Sequence, residues 1–211
     1  MTARDVQLSL VDGLERPVGP ILPSVFVGTN ADLMAAVAPL YLTGSVLDVT
    51  YGRGKWWDRF TPEPFTAHDL KTDGVDFTDL PHSDASFDTV CFDPPYVLTG
   101  GASKTLQEFQ NAYGIGNTNG LKGWPGLVSL VSSGLAEVCR VADRFVLVKC
   151  MEFVGSGFND LPTVVTNHAA SIGWKKYDQI VHHCGTGPGG HNIFTVKRAR
   201  RAHSYLIVFA R

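Results

Sequence analysis

Short apolar runs recur along this chain and alternate with segments of helical periodicity. Residues 45–49 and 87–92 are apolar runs of strand length, whereas residues 31–41 and 127–141 carry apolar side chains at helical spacing. Strands that alternate with helices form a sheet with helices on both faces. We therefore predict a single doubly wound α/β sheet. The remaining predicted elements are strands at residues 65–69, 144–150, 174–184 and 203–209 and a helix at 162–172.

The tetrapeptide Asp93-Pro94-Pro95-Tyr96 follows the apolar run at residues 87–92. Two consecutive prolines exclude helix and restrict the backbone, so the neighbouring polar groups point outward together. An exocyclic amine of a nucleobase is a poor nucleophile because its lone pair is delocalised into the ring. The Asp93 carboxylate and the Pro94 carbonyl could accept its two N–H groups, and Tyr96 could stack on the base. The alternative is a strand that ends in a Pro-Pro turn with a solvated acid.

A glycine turn containing Gly52 and Gly54 follows the predicted strand at residues 45–49. Glycine lets the backbone approach a ligand closely, because it has no side chain and tolerates positive φ. A phosphate-binding P-loop is excluded because Trp56 replaces the hydroxyl residue that follows Gly-Lys. A dinucleotide loop is excluded because Trp57 replaces its third small residue. The remaining interpretation is the glycine turn of an S-adenosylmethionine (AdoMet) site.

Two further acids follow apolar residues downstream of the glycine turn. Asp69 ends the short segment at residues 65–69, where a carboxylate can accept both ribose hydroxyls of a nucleoside. Asp76 could accept from an adenine amino group, with Phe77 beside the ring. Each acid taken alone fits a solvated strand end better, since loops are polar. Along the chain the glycine turn comes first, then the two acids and then the tetrapeptide. This order favours a ligand-binding site over separate solvated acids.

These motifs in this order resemble the AdoMet-dependent amino-methyltransferases of nucleic acids, in the gamma arrangement of the DNA adenine-N6 and cytosine-N4 methylases. The resemblance implies AdoMet as the cofactor and a Rossmann-like sheet that is mostly parallel with an antiparallel C-terminal strand. It implies that the methionine end lies by Asp48 and the glycine turn, the ribose by Asp69 and the adenine by Asp76. The implied cofactor-binding residues are Asp48, Thr50, Gly52, Gly54, Asp69, Asp76, Phe77 and Asp93. The implied catalytic residues are Asp93, Pro94, Pro95 and Tyr96.

The resemblance predicts methyl transfer to the N6 amino group of adenine, or to N4 of cytosine, in DNA. In a duplex, the target base would have to leave the stack. Related tetrapeptides also occur in enzymes that methylate RNA bases or protein glutamine, so these acceptors remain alternatives. A non-catalytic AdoMet-binding partner subunit is the alternative from another class. Many relatives carry a large target-recognition domain, for which this chain is expected to have no room.

Three segments outside the predicted strands and helices have distinct compositions. Residues 1–23 contain several prolines and are expected to be extended, and residues 98–126 are glycine-rich. A long irregular segment inside a compact domain is usually functional, so we predict that residues 98–126 form a target-binding loop. A basic cluster near residue 200 could bind nucleic-acid phosphates or simply keep an edge soluble. Its members are Lys197, Arg198, Arg200 and Arg201.

Composition indicates one compact domain spanning residues 1–211, because 44% hydrophobic content is enough for a sizeable core. The formal net charge is only −2, so nucleic-acid contact would depend on local patches. Neither a signal peptide nor a membrane span is expected. Four isolated cysteines in or beside apolar runs indicate reduced, buried thiols and a cytoplasmic setting. No metal is predicted, because the spacing of His182, His183, Cys184 and His191 matches no structural zinc site.

Overall fold

The structure is a computed structural model that describes residues 22–95, 123–154, 157–184 and 201–211. Within these ranges the chain forms nine strands and three helices. The strands are β1 (Val25–Val27), β2 (Val46–Asp48), β3 (Phe65–Ala67), β4 (Phe87–Phe92), β5 (Ala142–Cys150), β6 (Phe153–Val154), β7 (Phe158–Asn159), β8 (Lys175–His183) and β9 (Ser204–Ala210). The helices are α1 (Asn30–Tyr41), α2 (Gly123–Val141) and α3 (Leu161–Ser171).

Seven of these strands form one mixed sheet in the order β1-β8-β9-β5-β4-β2-β3. Strands β3, β2, β4 and β5 run parallel to one another, and β1 runs parallel to β8. Strand β9 lies between β5 and β8 and is antiparallel to both. The predicted fold class, a mostly parallel sheet with an antiparallel C-terminal strand, is confirmed. Strands β6 and β7 form a separate two-stranded ribbon.

Helices cover both faces of the sheet, as a doubly wound arrangement requires. Alternate residues of β4 point to opposite faces: Val90 and Phe92 pack with α2 and α3, whereas Cys91 packs with α1. Burial of apolar surface on each face stabilises this layering by about 25 cal/mol for each Å² removed from water. Gly134 of α2 allows close packing, because a Cβ atom there would lie 2.5 Å from the Phe77 ring.

Side-chain caps define the start of two helices. Thr29 caps α1 in a reciprocal capping box, in which it accepts from the backbone N–H of Asp32 and the Asp32 carboxylate accepts from the backbone N–H of Thr29. Asp160 caps α3 by accepting from the backbone N–H of Thr163 at 3.0 Å. These bonds satisfy N–H groups that have no partner inside the helix.

Several predictions about the connecting segments need correction or lie outside the described residues. Helix α2 begins at Gly123, so residues 123–126 are helical and not part of the predicted loop. Pro125 is compatible with this start, because a first-turn residue needs no intrahelical N–H bond. Cys184 was expected to be buried but is exposed, because it follows the last residue of β8, whereas Cys91, Cys139 and Cys150 are buried free thiols. The predicted segment at residues 1–23 lies almost entirely outside the described residues, as does most of the predicted loop at 98–126.

None of the helices in the described ranges combines the length and the apolar character that crossing a membrane requires.

Candidate active site

Four strands bring polar residues to one edge of the sheet. Asp48 ends β2, Asp93 follows β4, and Lys149 and His182 lie near the ends of β5 and β8. Strand β8 runs in the same direction as β5, because the antiparallel β9 lies between them. We call the edge defined by these four residues the carboxyl rim. Ligands of open α/β sheets bind at this edge.

Asp48 is a buried carboxylate whose two oxygens both accept hydrogen bonds. Its Oδ1 accepts from the backbone N–H of Thr50 at 2.8 Å, and its Oδ2 accepts from the indole N–H of Trp57 at 2.7 Å. Burial raises the pKa of Asp48 to about 7, while the bonds from Trp57 and Thr50 act in the opposite direction. The side chain therefore holds the glycine turn against the end of β2.

Thr50 connects the glycine turn to the proline tetrapeptide. Its hydroxyl oxygen accepts a hydrogen bond of 2.8 Å from the backbone N–H of Asp93. Asp93 is also near enough to Asp48 for its charge to raise the pKa of Asp48. The two segments that carry the predicted site therefore meet on the carboxyl rim, although 43 residues separate Thr50 from Asp93 in sequence.

Asp69 joins the end of β3 to the same turn. Its Oδ2 accepts from the backbone N–H of Gly52 at 3.2 Å, and its Oδ1 accepts from the backbone N–H of Lys71 at 3.0 Å. The backbone N–H of Tyr51 donates to the carbonyl of His68 at 3.0 Å. Asp69 is half-buried, so its carboxylate lies at the surface of the rim beside the glycine turn.

The two glycines of the turn have different surroundings. Both have left-handed backbones, with φ of 55° at Gly52 and 69° at Gly54. Gly54 is buried, and a Cβ atom there would lie 2.5 Å from the hydroxyl oxygen of Tyr51. The space above Gly54 is therefore occupied by Tyr51. Gly52 is half-buried and remains the glycine of this turn at which a ligand could approach the backbone.

Asp76 and Phe77 lie in a turn rather than at the end of a strand. Asp76 is exposed, and its Oδ1 accepts from both the backbone N–H and the hydroxyl of Thr78 at 2.8 Å. The half-buried ring of Phe77 packs against Phe92 with a centroid distance of 5.2 Å. Phe77 thus belongs partly to the core, and Asp76 stands beside it at the surface.

Of the predicted acceptor-binding residues, the structure describes Asp93, Pro94, Pro95 and Arg201. Asp93 and Pro95 are half-buried and Pro94 is buried. Arg201 points towards Glu152, with Nε 3.9 Å from Oε2, and its guanidinium lies 5.0 Å from the centre of the Phe158 ring. Tyr96, Lys197, Arg198 and Arg200 lie outside the described residues.

Two polar residues of the site were missed from the sequence. Trp57 was noted only as an obstacle to nucleotide loops, yet its indole bonds to Asp48. Lys149 is 5% exposed, and its ammonium donates to Asn30 Oδ1 at 2.5 Å. A single charged residue inside the apolar run at 145–150 was a usable signal for Lys149, because buried lysines are rare. Nothing local in the sequence indicated Asn30 as its partner.

Two histidines near Asp69, His68 and His82, contact each other. His68 Nε2 lies 2.8 Å from His82 Nε2, and His68 Nδ1 lies 2.6 Å from Asp73 Oδ2. Burial, followed by the charges of His68 and Arg140, lowers the pKa of His82. The two rings meet because the loop after β3 folds back towards residue 82.

Neither protein-family models nor curated protein sequences give a match to this chain. Solved structures with a similar fold include a SAM-dependent methyltransferase from Methanosarcina mazei, with a TM-score of 0.51, 11% identity, and coverage of 83% of this chain and 96% of that one. Another is magnesium protoporphyrin IX methyltransferase from Synechocystis PCC 6803 with bound SAM (TM-score 0.46, 9% identity, coverage 86% and 79%).

A third similar structure comes from Thermus thermophilus and is provisionally assigned as a DNA modification methylase (TM-score 0.43, 12% identity). The match covers 65% of this chain and 52% of the Thermus protein, so our chain spans about half the length of that protein. At 11% identity the match to the Methanosarcina structure shows the fold alone, which is the Rossmann-like fold of that SAM-dependent methyltransferase.

Proposed function

We propose that this protein is an AdoMet-dependent N-methyltransferase that modifies the exocyclic amino group of a nucleobase, adenine N6 or cytosine N4, in DNA. The observation that carries this proposal is the hydrogen bond between Thr50 and Asp93. This bond supports a site in which the glycine turn binds AdoMet and Asp93 binds the acceptor amine beside it. The tetrapeptide that begins at Asp93 supports the choice of a planar amine as the acceptor.

The rim residues fit AdoMet, with two roles changed from those that the resemblance implies. Asp69 is half-buried and each of its oxygens accepts one backbone N–H, which leaves lone pairs for the ribose hydroxyls. Asp48 is buried, and its oxygens accept from Thr50 and Trp57, so we assign it to supporting the turn. Gly54 makes room for Tyr51, which leaves Gly52 to face the methionine end.

The chemistry of the acceptor side depends on Asp93 and Pro94. AdoMet, when bound, supplies a methyl group that its sulfonium makes electrophilic. The Asp93 carboxylate and the Pro94 carbonyl accept the two N–H groups of the amine, which localises its lone pair on nitrogen. The negative charge of Asp93 then stabilises the positive charge that develops on that nitrogen. After transfer, the extra proton on nitrogen leaves to the carboxylate or to solvent, and no covalent enzyme intermediate is needed.

A DNA acceptor requires an extruded base and a surface that holds the phosphates. The net charge of −2 gives no general attraction to nucleic acid, so the contact would come from a local basic patch. We assign this contact to Lys197, Arg198 and Arg200. Arg201 could instead pair with Glu152, because the two side chains face each other at the rim side of β9. Tyr96 is proposed to stack on the base.

Methyl transfer from tritiated AdoMet to DNA, RNA and protein fractions tests the acceptor class directly. We expect label in DNA, and nuclease digestion followed by chromatography should identify the methylated base. Label confined to RNA or to protein would overturn the DNA acceptor while retaining the enzyme class. Absence of transfer to all three fractions, with AdoMet still raising the melting temperature, would indicate a binding subunit.

Asp93→Ala tests the residue that carries the mechanism. We expect methyl transfer to fall by at least about 1,000-fold, in line with the loss of a central electrostatic group, whereas the thermal shift caused by AdoMet should persist. Asp143→Ala is the matched control, because Asp143 is an exposed acid at the opposite end of β5. Equal activity in Asp93→Ala and Asp143→Ala would contradict the mechanism.

A further inference from the structure

Lys149 is a buried cation that the proposed mechanism does not yet use. It lies in β5 with 5% of its surface exposed, among apolar residues of the sheet. Its ammonium donates to the side-chain oxygen of Asn30, the first residue of α1, at 2.5 Å. Burying an ammonium costs several kcal/mol unless a counter-charge is close. An amide oxygen alone does not supply that charge.

The register of the sheet places the counter-charge next to Lys149. Phe92 of β4 pairs with Val148 of β5, so the residues that follow them, Asp93 and Lys149, are neighbours across two parallel strands. Adjacent strands are about 4.8 Å apart, and side chains at equivalent positions share a face. The charge of Asp93 acts directly on Lys149 and favours its cationic form.

Other titratable groups of the described residues approach this pair from β2, β5 and the end of β8. Asp48 faces Asp93 from β2, and Cys150 follows Lys149 in β5. His182 and Cys184 approach from the end of β8. Burial is the largest effect on Lys149 and lowers its pKa, while Asp93 opposes this shift most strongly, followed by Cys184 and Cys150. Asp93 thus lies between a carboxyl group that disfavours its ionisation and an ammonium that favours it.

We propose that Lys149 is a positioning residue whose buried ammonium, held in place by Asn30, keeps the Asp93 carboxylate ionised and oriented towards the acceptor amine. This inference rests on the proposed function, because it assigns Lys149 a role through Asp93. A cation within about 4–6 Å lowers the pKa of a carboxyl group by about 1–3 units. Without Lys149, the burial of Asp93 and the neighbouring Asp48 would both favour the protonated acid, which accepts an amine N–H less strongly and carries no negative charge to stabilise the developing cation.

A purely structural role for Lys149 makes different predictions. If Lys149 served only to anchor α1 through Asn30, then removing either residue should lower stability and leave the titration of Asp93 unchanged. If Lys149 sets the charge of Asp93, then Lys149→Met should change that titration, whereas Asn30→Ala should change it less because the cation remains. Lys149→Arg retains the charge and serves as the conservative rescue variant.

The decisive measurement is the titration of Asp93 by NMR of carbon-13-labelled aspartate, with Asp93→Asn to assign the resonance. In Lys149→Met we expect Asp93 to titrate at least about 1 pH unit above its position in the wild-type protein. An unchanged titration of Asp93 in Lys149→Met would overturn the inference.

Activity provides a second and separable readout. The acidic limb of the pH profile of kcat/KM should move upward by at least about 1 pH unit in Lys149→Met and return towards wild type in Lys149→Arg. The melting-temperature shift caused by AdoMet should remain in both variants. If the wild-type protein methylates no acceptor, the proposed function fails, but the NMR titration still decides whether Lys149 controls the charge of Asp93.

Discussion

The indole N–H of Trp57 donates a 2.7 Å hydrogen bond to Oδ2 of Asp48, and both side chains are buried beneath the glycine turn. The carboxylate bonds at the same time to the backbone of Thr50. The shape of the turn therefore depends on a polar contact in the core beneath it and not only on its glycines.

Replacement of Trp57 by phenylalanine should destabilise the protein by about 2–4 kcal/mol, because it leaves a buried carboxylate oxygen without its donor and removes core volume. Trp56→Phe is the matched control, since Trp56 is equally buried but the Asp48 carboxylate accepts from the indole of Trp57. Urea unfolding at pH 7 measures both. If the two variants lost equal free energy of unfolding, the loss of side-chain volume alone would explain the effect, without the hydrogen bond to Asp48.

The raised pKa of Asp48 predicts a specific pH dependence of stability. The folded protein releases the Asp48 proton near pH 7, whereas an unfolded aspartate releases it near the ordinary value of 3.8. The stabilising contribution of this group is therefore fully present below about pH 4 and is lost as the pH rises through 7. Relative to wild type, Asp48→Asn should be less destabilising at pH 7 than at pH 4.5, by about 3 kcal/mol. A difference that stays constant between these two pH values would rule out this titration.

Thr50→Val should weaken methyl transfer by about 10-fold and lower the free energy of unfolding by about 1–2 kcal/mol. The substitution preserves the shape of the side chain but removes the oxygen that accepts from the Asp93 N–H. Thr50→Ser keeps that oxygen and should remain close to wild type in both assays. A valine variant that is as active as the serine variant would show that the bond does not position Asp93.

Gly54→Ala should be more destabilising than Gly74→Ala. Both glycines have left-handed backbones, with φ of 69° and 78°, so each alanine costs about 1–2 kcal/mol in backbone strain. At Gly74 nothing lies within 4 Å of the added Cβ, whereas at Gly54 it would meet Tyr51. We expect a further loss of about 1–3 kcal/mol at Gly54, which Tyr51→Ala should relieve in the double variant. Equal melting temperatures for the two single variants would argue against the contact with Tyr51.

The sheet could be predicted from the sequence because its strands are apolar runs bounded by polar turns. The run at residues 87–92 became β4 with the same limits, and the helix expected at 31–41 begins one residue earlier at Asn30. Strands β2 and β3 are shorter than their apolar runs, since pairing stops where the chain turns at the rim. The start of α2 was placed too late because its first turn contains glycines and a proline, which are weak helix signals.

The order of the candidate site residues could also be predicted, because parallel strands place their carboxyl ends on a single edge. The individual hydrogen-bond partners could not be predicted from the sequence. Asn30 and Lys149 are 119 residues apart, and no local pattern specifies that one will satisfy the other. The same holds for Gly54, where the sequence indicated room for a ligand but the fold brings the Tyr51 hydroxyl into that space.

The position of β9 has a consequence for the synthesis of the protein. This strand lies inside the sheet and pairs with β5 on one side and with β8 on the other. Among the described residues, it is the only strand that joins β5, β4, β2 and β3 to β8 and β1. While the nascent chain is still on the ribosome, β8 and β1 must wait for residues 204–210 to emerge before they can join the other half. Assembly of the full sheet therefore cannot precede the synthesis of residues 204–210, and until then the unpaired edges of β5 and β8 are a natural target for chaperones.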